Sequence, residues 1–85
     1  MAVQRASKGF QDERYRKLIA SLVNQRQRLG LSQEALGVKL GRHQQFVSRY
    51  ETGERRLDAV EFTDIARTLG LDPTTLVGGV ASVHD

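Results

Sequence analysis

The chain has no cysteine and only two histidines. Disulfides and thiolate metal sites are thereby excluded, and a histidine-based metal site is not expected. Aromatic residues make up only 6% of the sequence, which predicts an aliphatic core. No apolar run approaches the length of a membrane span, and the opening residues MAVQRASKGF lack a signal-peptide core. Ser–His–Asp spacing, a glycine-rich phosphate loop and a metal-ligand cluster are all missing; the carboxylates are scattered or stand where helix caps belong. These absences argue against an enzyme, a bound cofactor and a membrane protein. They predict a soluble, cytoplasmic domain.

Eighty-five residues suffice for one small domain with a modest core and leave no room for a separate sensor or catalytic domain. The net charge of +3 hides an uneven distribution. Residues 1–50 hold ten Lys or Arg against Asp12, Glu13 and Glu34, whereas residues 51–85 hold Arg55, Arg56 and Arg67 against seven acids. A basic half suits attraction to phosphate. Such asymmetry also occurs in domains that bind nothing, so it supports a motif and does not stand alone.

The most informative stretch is Gln33 to Thr52, QEALGVKLGRHQQFVSRYET. It reads as two short helices hinged at Gly41, a residue able to take the left-handed conformation that ends a helix sharply. Leu36, Leu40, Val47 and Tyr50 fall where two crossed helices would share a core, and Gly37 is small where their backbones would meet. This spacing describes a helix-turn-helix, whose second helix enters the DNA major groove. At about 100° per residue, Val47 and Tyr50 share one face of that helix. Gln44, Gln45, Ser48 and Arg49 share the opposite one, with Phe46 between. A glutamine amide matches N7 and N6 of adenine, and an arginine fork matches O6 and N7 of guanine. The competing view, a merely solvated polar face, fits an isolated helix better than one inside this apolar framework.

The rest of the chain is helical by pattern, giving an all-α expectation of about five helices. The first runs from about Asp12 to Leu29, with Tyr15, Leu18, Leu22 and Leu29 at helical spacing. Ser32 caps the second, and the third spans about His43 to Glu51. Asp58 caps a fourth helix striped by Ala59, Phe62, Ile65, Ala66 and Leu69. Asp72 and Pro73 open a short last helix through Leu76 and Val77. Residues 1–10, with Arg5 and Lys8, read as a flexible basic arm, either a disordered terminus or a contact to DNA backbone or minor groove. Residues 11–78 form the helix-turn-helix domain, and 79–85 a frayed tail.

From Tyr15 to Leu76 the chain resembles the lambda-repressor-like, Cro-type family of DNA-binding domains, also called the xenobiotic-response-element type. The resemblance rests on Arg26 with Leu29-Gly30-Leu31-Ser32-Gln33, Leu40-Gly41, Val47-Ser48-Arg49-Tyr50-Glu51, Gly53, Ile65-Ala66 and Leu69-Gly70. It implies a bundle of about five helices that acts on transcription as a homodimer at a palindromic operator. It places Gln44, Gln45 and Arg49 at base edges. Gln33 falls at a phosphate held by a helix N-terminus, and Arg55 and Arg56 at loop positions that meet phosphate. Arg26 and Glu51 match a pair bridging the first and third helices, with the arginine often also facing the DNA backbone. Arg42 replaces an apolar residue and points to solvent or toward DNA. His43 replaces a Ser or Thr cap. Phe46 replaces a small polar residue and packs either on a thymine methyl or sideways against the second helix.

Within DNA binding the role stays open among repressor, restriction-system controller and antitoxin. From another class, a protein-interaction module on the same scaffold would have a protein partner and no DNA. The polar Gln44–Gln45–Arg49 face argues against it, since an interaction face would be more apolar. Val60, with Leu71, Leu76, Val77 and Val80, offers apolar surface for a homodimer seam.

Overall fold

Each helix starts where a side chain can satisfy the unpaired N–H groups of its first turn. In the computed structural model, which describes residues 12–83, five α-helices follow one another: α1 Glu13–Arg28, α2 Gln33–Leu40, α3 Gln44–Thr52, α4 Ala59–Thr68 and α5 Pro73–Val83. No strand occurs among the described residues. The proposed arm at 1–10 lies outside them. Asp12 Oδ1 accepts from Arg14 N at 2.9 Å, Ser32 Oγ from Ala35 N at 3.0 Å and Asp72 Oδ1 from Thr74 N at 2.9 Å. At α4 the cap is reciprocal: Asp58 Oδ1 accepts from Glu61 N at 2.7 Å and Glu61 Oε1 from Asp58 N at 3.1 Å, the capping box.

His43 also caps, at the start of α3. Its Nδ1 accepts from Gln45 N at 3.1 Å, which requires a neutral ring with the proton on Nε2. Between α2 and α3, Gly41 has φ +70 and closes α2 in the left-handed conformation, where a Cβ would be strained. Gly37 serves a different need. A Cβ built on it would lie 2.8 Å from Arg42 O and 3.4 Å from Gln44 N, so α2 and the backbone leading into α3 touch through the missing side chain. Helix propensity favours alanine over glycine by about 1 kcal/mol there; close approach overrides it.

Among the described residues, the buried core is drawn from α1 to α4 and their flanks. Ile19 and Leu22 come from α1, Leu36 from α2, Val47 and Tyr50 from α3, and Phe62, Ile65 and Ala66 from α4, with Leu57 and Leu69 at the flanks of α4. It is mostly aliphatic, with Tyr50 and Phe62 as aromatic members. α2 and α3 pack together most extensively and rest on α1 and α4.

Three expectations need correction. Leu29 is half exposed (50%) and Ile19 is buried instead; Leu29 is the C-cap at the end of α1. Leu40 is only partly buried. The last helix continues past Val77 to Val83. Val80 is half-buried there and lines a groove with Leu76, Gly79 and Leu18 of α1. That contact offsets the propensity cost of Gly78 and Gly79, about 1 kcal/mol each.

Candidate nucleic-acid interface

α3 presents two chemically distinct sides. Val47 and Tyr50 are fully buried (0%), fastening the helix to the core. Gln44, Gln45 and Arg49 are exposed and Ser48 half-buried. None of these four side chains forms a hydrogen bond or ion pair with another described residue, so their donors and acceptors face solvent. The anchored side supplies rigidity and the open side a row of hydrogen-bonding groups, which is what contact with base edges needs.

The angle of α3 is set from behind by Arg26. Its Nε donates to Glu51 Oε2 at 2.6 Å, its Nη2 to Glu51 Oε1 at 2.9 Å and its Nη1 to Leu31 O at 2.7 Å. One guanidinium thus joins α1, the loop before α2 and the last turn of α3. Both side chains are largely buried, 11% and 7% exposed, and the carboxylate holds Arg26 in its charged form, raising its pKa. With all three nitrogens donating inside the protein, little of the fork remains for a phosphate. Gln33 joins the same carboxylate, donating from Nε2 to Glu51 Oε1 at 2.9 Å. One of its two amide N–H groups is therefore occupied, and any phosphate contact there falls to the second N–H or to backbone N–H groups.

Arg42 and Arg55 converge instead of spreading. Arg42 Nη2 lies 3.1 Å from Glu61 Oε2, and Arg55 grips the same carboxylate with Nη1 to Oε1 and Nη2 to Oε2, both at 2.8 Å. Their guanidinium carbons sit 4.0 and 5.1 Å from the centroid of the Phe46 ring. Phe46 meets Tyr50 edge-on, with centroids 5.6 Å apart and planes at 62°. With Leu40 of α2 among its neighbours, the ring takes the sideways alternative in part. It lines a small recess with Leu40, Arg42, Glu61, Asp64 and Ile65, toward α4, because two cations cover it there. Arg56 is exposed and stacks 4.6 Å from the centroid of Tyr15, whose hydroxyl accepts from Leu57 N at 3.1 Å.

Sequence reasoning missed Glu61 as the hub of this cluster. The Asp58-x-x-Glu61 spacing does signal a capping box. Its partnership with Arg42, on an element far along the chain, has no local signature.

Similarity to known proteins agrees with the geometry. Residues 20–77 match the family model of the helix-turn-helix domain, so the class is that of helix-turn-helix DNA-binding domains. A solved structure, an XRE-family like protein from Pseudomonas syringae pv. tomato str. DC3000, superposes with a TM-score of 0.80 at 39% identity, covering 94% of this chain and 98% of that one. The chain belongs to the XRE, or lambda-repressor-like, helix-turn-helix family. Among curated proteins none matches it. No helix among the described residues is long and apolar enough to cross a membrane.

Proposed function

We propose that this protein is a sequence-specific, double-stranded DNA-binding repressor of transcription that acts as a homodimer on a palindromic operator. One observation carries the reading: Gln44, Gln45 and Arg49 stand exposed and unengaged on a helix whose other side is buried in the core. In this reading Gln44, Gln45 and Arg49 contact base edges from the major groove, with Ser48 alongside. Phe46 takes a supporting part and positions Arg42 and Arg55. Phosphate contacts come from Arg42, Arg55 and Arg56 and from the start of α2 at Gln33, where the helix dipole favours an anion. Arg26 belongs to the frame and not to the phosphate set.

For the dimer seam, Leu71 and Leu76 are already packed against the core. The apolar surface left is Val60, 70% exposed, and Val77, 49% exposed, with Val80 beside the latter. Pairing through this face would set two reading helices about one DNA turn apart, roughly 34 Å.

Selection of bound duplexes from a random pool tests the whole reading. The expected product is an inverted repeat with half-sites about 10 base pairs apart, weakened by about 1–3 kcal/mol for Gln44→Ala or Arg49→Ala at the corresponding bases. A pool that never converges rejects sequence-specific binding, an asymmetric consensus rejects the symmetric dimer, and an unchanged base preference in both variants rejects their assigned roles.

A further inference from the structure

Glu61 is saturated with donors. Its Oε1 accepts from Arg55 Nη1 at 2.8 Å and from Asp58 N at 3.1 Å, and its Oε2 from Arg55 Nη2 at 2.8 Å and Arg42 Nη2 at 3.1 Å. The carboxylate is only 14% exposed, whereas the two arginine side chains are 42% and 41% exposed. It is recessed, and they lie at the surface over Phe46.

The two arginines bracket the reading helix. Arg42 immediately precedes its cap, His43, and Arg55 lies in the loop beyond its end, Thr52. Two unpaired guanidinium groups in these places would attract phosphate strongly and without regard to sequence. With Glu61 between them, the trio carries one net positive charge. The contest is also geometric. Arg55 meets the carboxylate with two parallel N–H···O bonds, the arrangement in which an arginine grips a phosphate. The same nitrogens cannot make both forks fully at once. Hydrogen bonds from Arg55 and Asp58 draw the Glu61 carboxyl down to about 2, so the competitor stays ionised at neutral pH.

We propose that Glu61 determines specificity by acting through Arg42 and Arg55. It competes with the DNA backbone for both guanidinium groups and withholds sequence-independent affinity, leaving discrimination to Gln44, Gln45 and Arg49. This rests on the DNA-binding reading above and goes beyond it: an acidic residue of α4, which need not touch DNA, sets the ratio of selected to random binding. Loss of Glu61 is a gain of indiscriminate affinity.

The test compares the wild-type protein with Glu61→Gln on the selected duplex and on a random duplex of equal length, across a salt series. Glutamine keeps the size of the side chain and an acceptor for the Asp58 N–H. The expected result is a plot of log affinity against log salt steeper by about one unit. Random duplex should be bound more tightly, and the selected-to-random ratio should be lower than in the wild type. Adding Arg55→Ala to Glu61→Gln should return the slope to its wild-type value. If the wild type binds its selected duplex but Glu61→Gln leaves slope and ratio unchanged, the proposal is overturned while the DNA-binding reading survives. If the wild type captures no duplex at all, both fall. Should the glutamine variant not fold, the guanidinium N–H resonances of Arg42 and Arg55 in the wild-type protein carry the test. Exchange of Glu61 for phosphate shifts both on addition of duplex, and resonances that stay put overturn the proposal.

Discussion

Arg26 of α1 and Glu51 of α3 meet in a two-pronged ion pair, Nε to Oε2 at 2.6 Å and Nη2 to Oε1 at 2.9 Å, where the side chains are 11% and 7% exposed. Little water reaches either charge, so each depends on the other. A pair of this kind contributes little net stability over a well-packed apolar substitute, yet removing one member strands a buried charge at a cost of about 3–5 kcal/mol. Arg26→Ala should therefore unfold at markedly lower urea concentration. Replacing both residues with apolar side chains of similar volume should recover most of the loss. A double variant as unstable as the single one would contradict the account. DNA affinity of the double variant should remain reduced, since the tie that sets the angle of α3 is gone.

Gly37 is the point where α2 runs against the entry to α3. The nearest atom to a Cβ there would be Arg42 O at 2.8 Å, a backbone atom that cannot swing away. Overpacking costs about 1–3 kcal/mol, and helix propensity returns only about 1 kcal/mol of it. Gly37→Ala is expected to lower the thermal midpoint, with a displaced α3 and weaker binding to the selected duplex. An unchanged or raised midpoint would show that the contact is softer than its geometry.

Tyr50 is fully buried, and its hydroxyl has no hydrogen-bond partner among the described residues. Burial pushes the phenol pKa up, so the group is neutral and its oxygen contributes packing alone. An unsatisfied buried hydroxyl costs about 1–3 kcal/mol, which Tyr50→Phe would relieve while keeping the edge-on contact with Phe46. The expected outcome is equal or greater stability by chemical denaturation. A loss above about 1 kcal/mol would mean that the hydroxyl is satisfied.

Acid should loosen the Glu61 cluster. Its carboxyl lies at about 2 in the folded chain against an ordinary 4.5. A folded-state pKa below the unfolded one gives stability that is present above about 4.5 and lost as pH falls toward about 2. The thermal midpoint should drop across that window, and Glu61→Gln should remove part of the drop. Parallel curves for the two proteins would dissociate Glu61 from the acid transition.

Arg56 differs from its neighbours in stacking on Tyr15, 4.6 Å from the ring centroid. As a phosphate contact it should act evenly on all duplexes. Arg56→Ala is expected to flatten the salt slope by about one unit without altering base preference. A constant slope would take Arg56 out of the phosphate set.

The sequence by itself determined the helices and the two sides of α3. Caps such as Ser32 and Asp58, the hinge at Gly41 and the 3.6-residue period act within a few residues, so their physics is local and can be read along the chain. The same holds for Gln44, Gln45 and Arg49, which point away from Val47 and Tyr50 wherever the helix is placed. Only the tertiary structure decided where Phe46 lies, that Leu29 leaves the core, that α5 continues to Val83, and that Arg42 and Arg55 share the Glu61 carboxylate. Each of these depends on what a second, distant segment brings alongside. A guanidinium has no preferred partner until folding selects one, and a pattern along one helix cannot name the carboxylate on another.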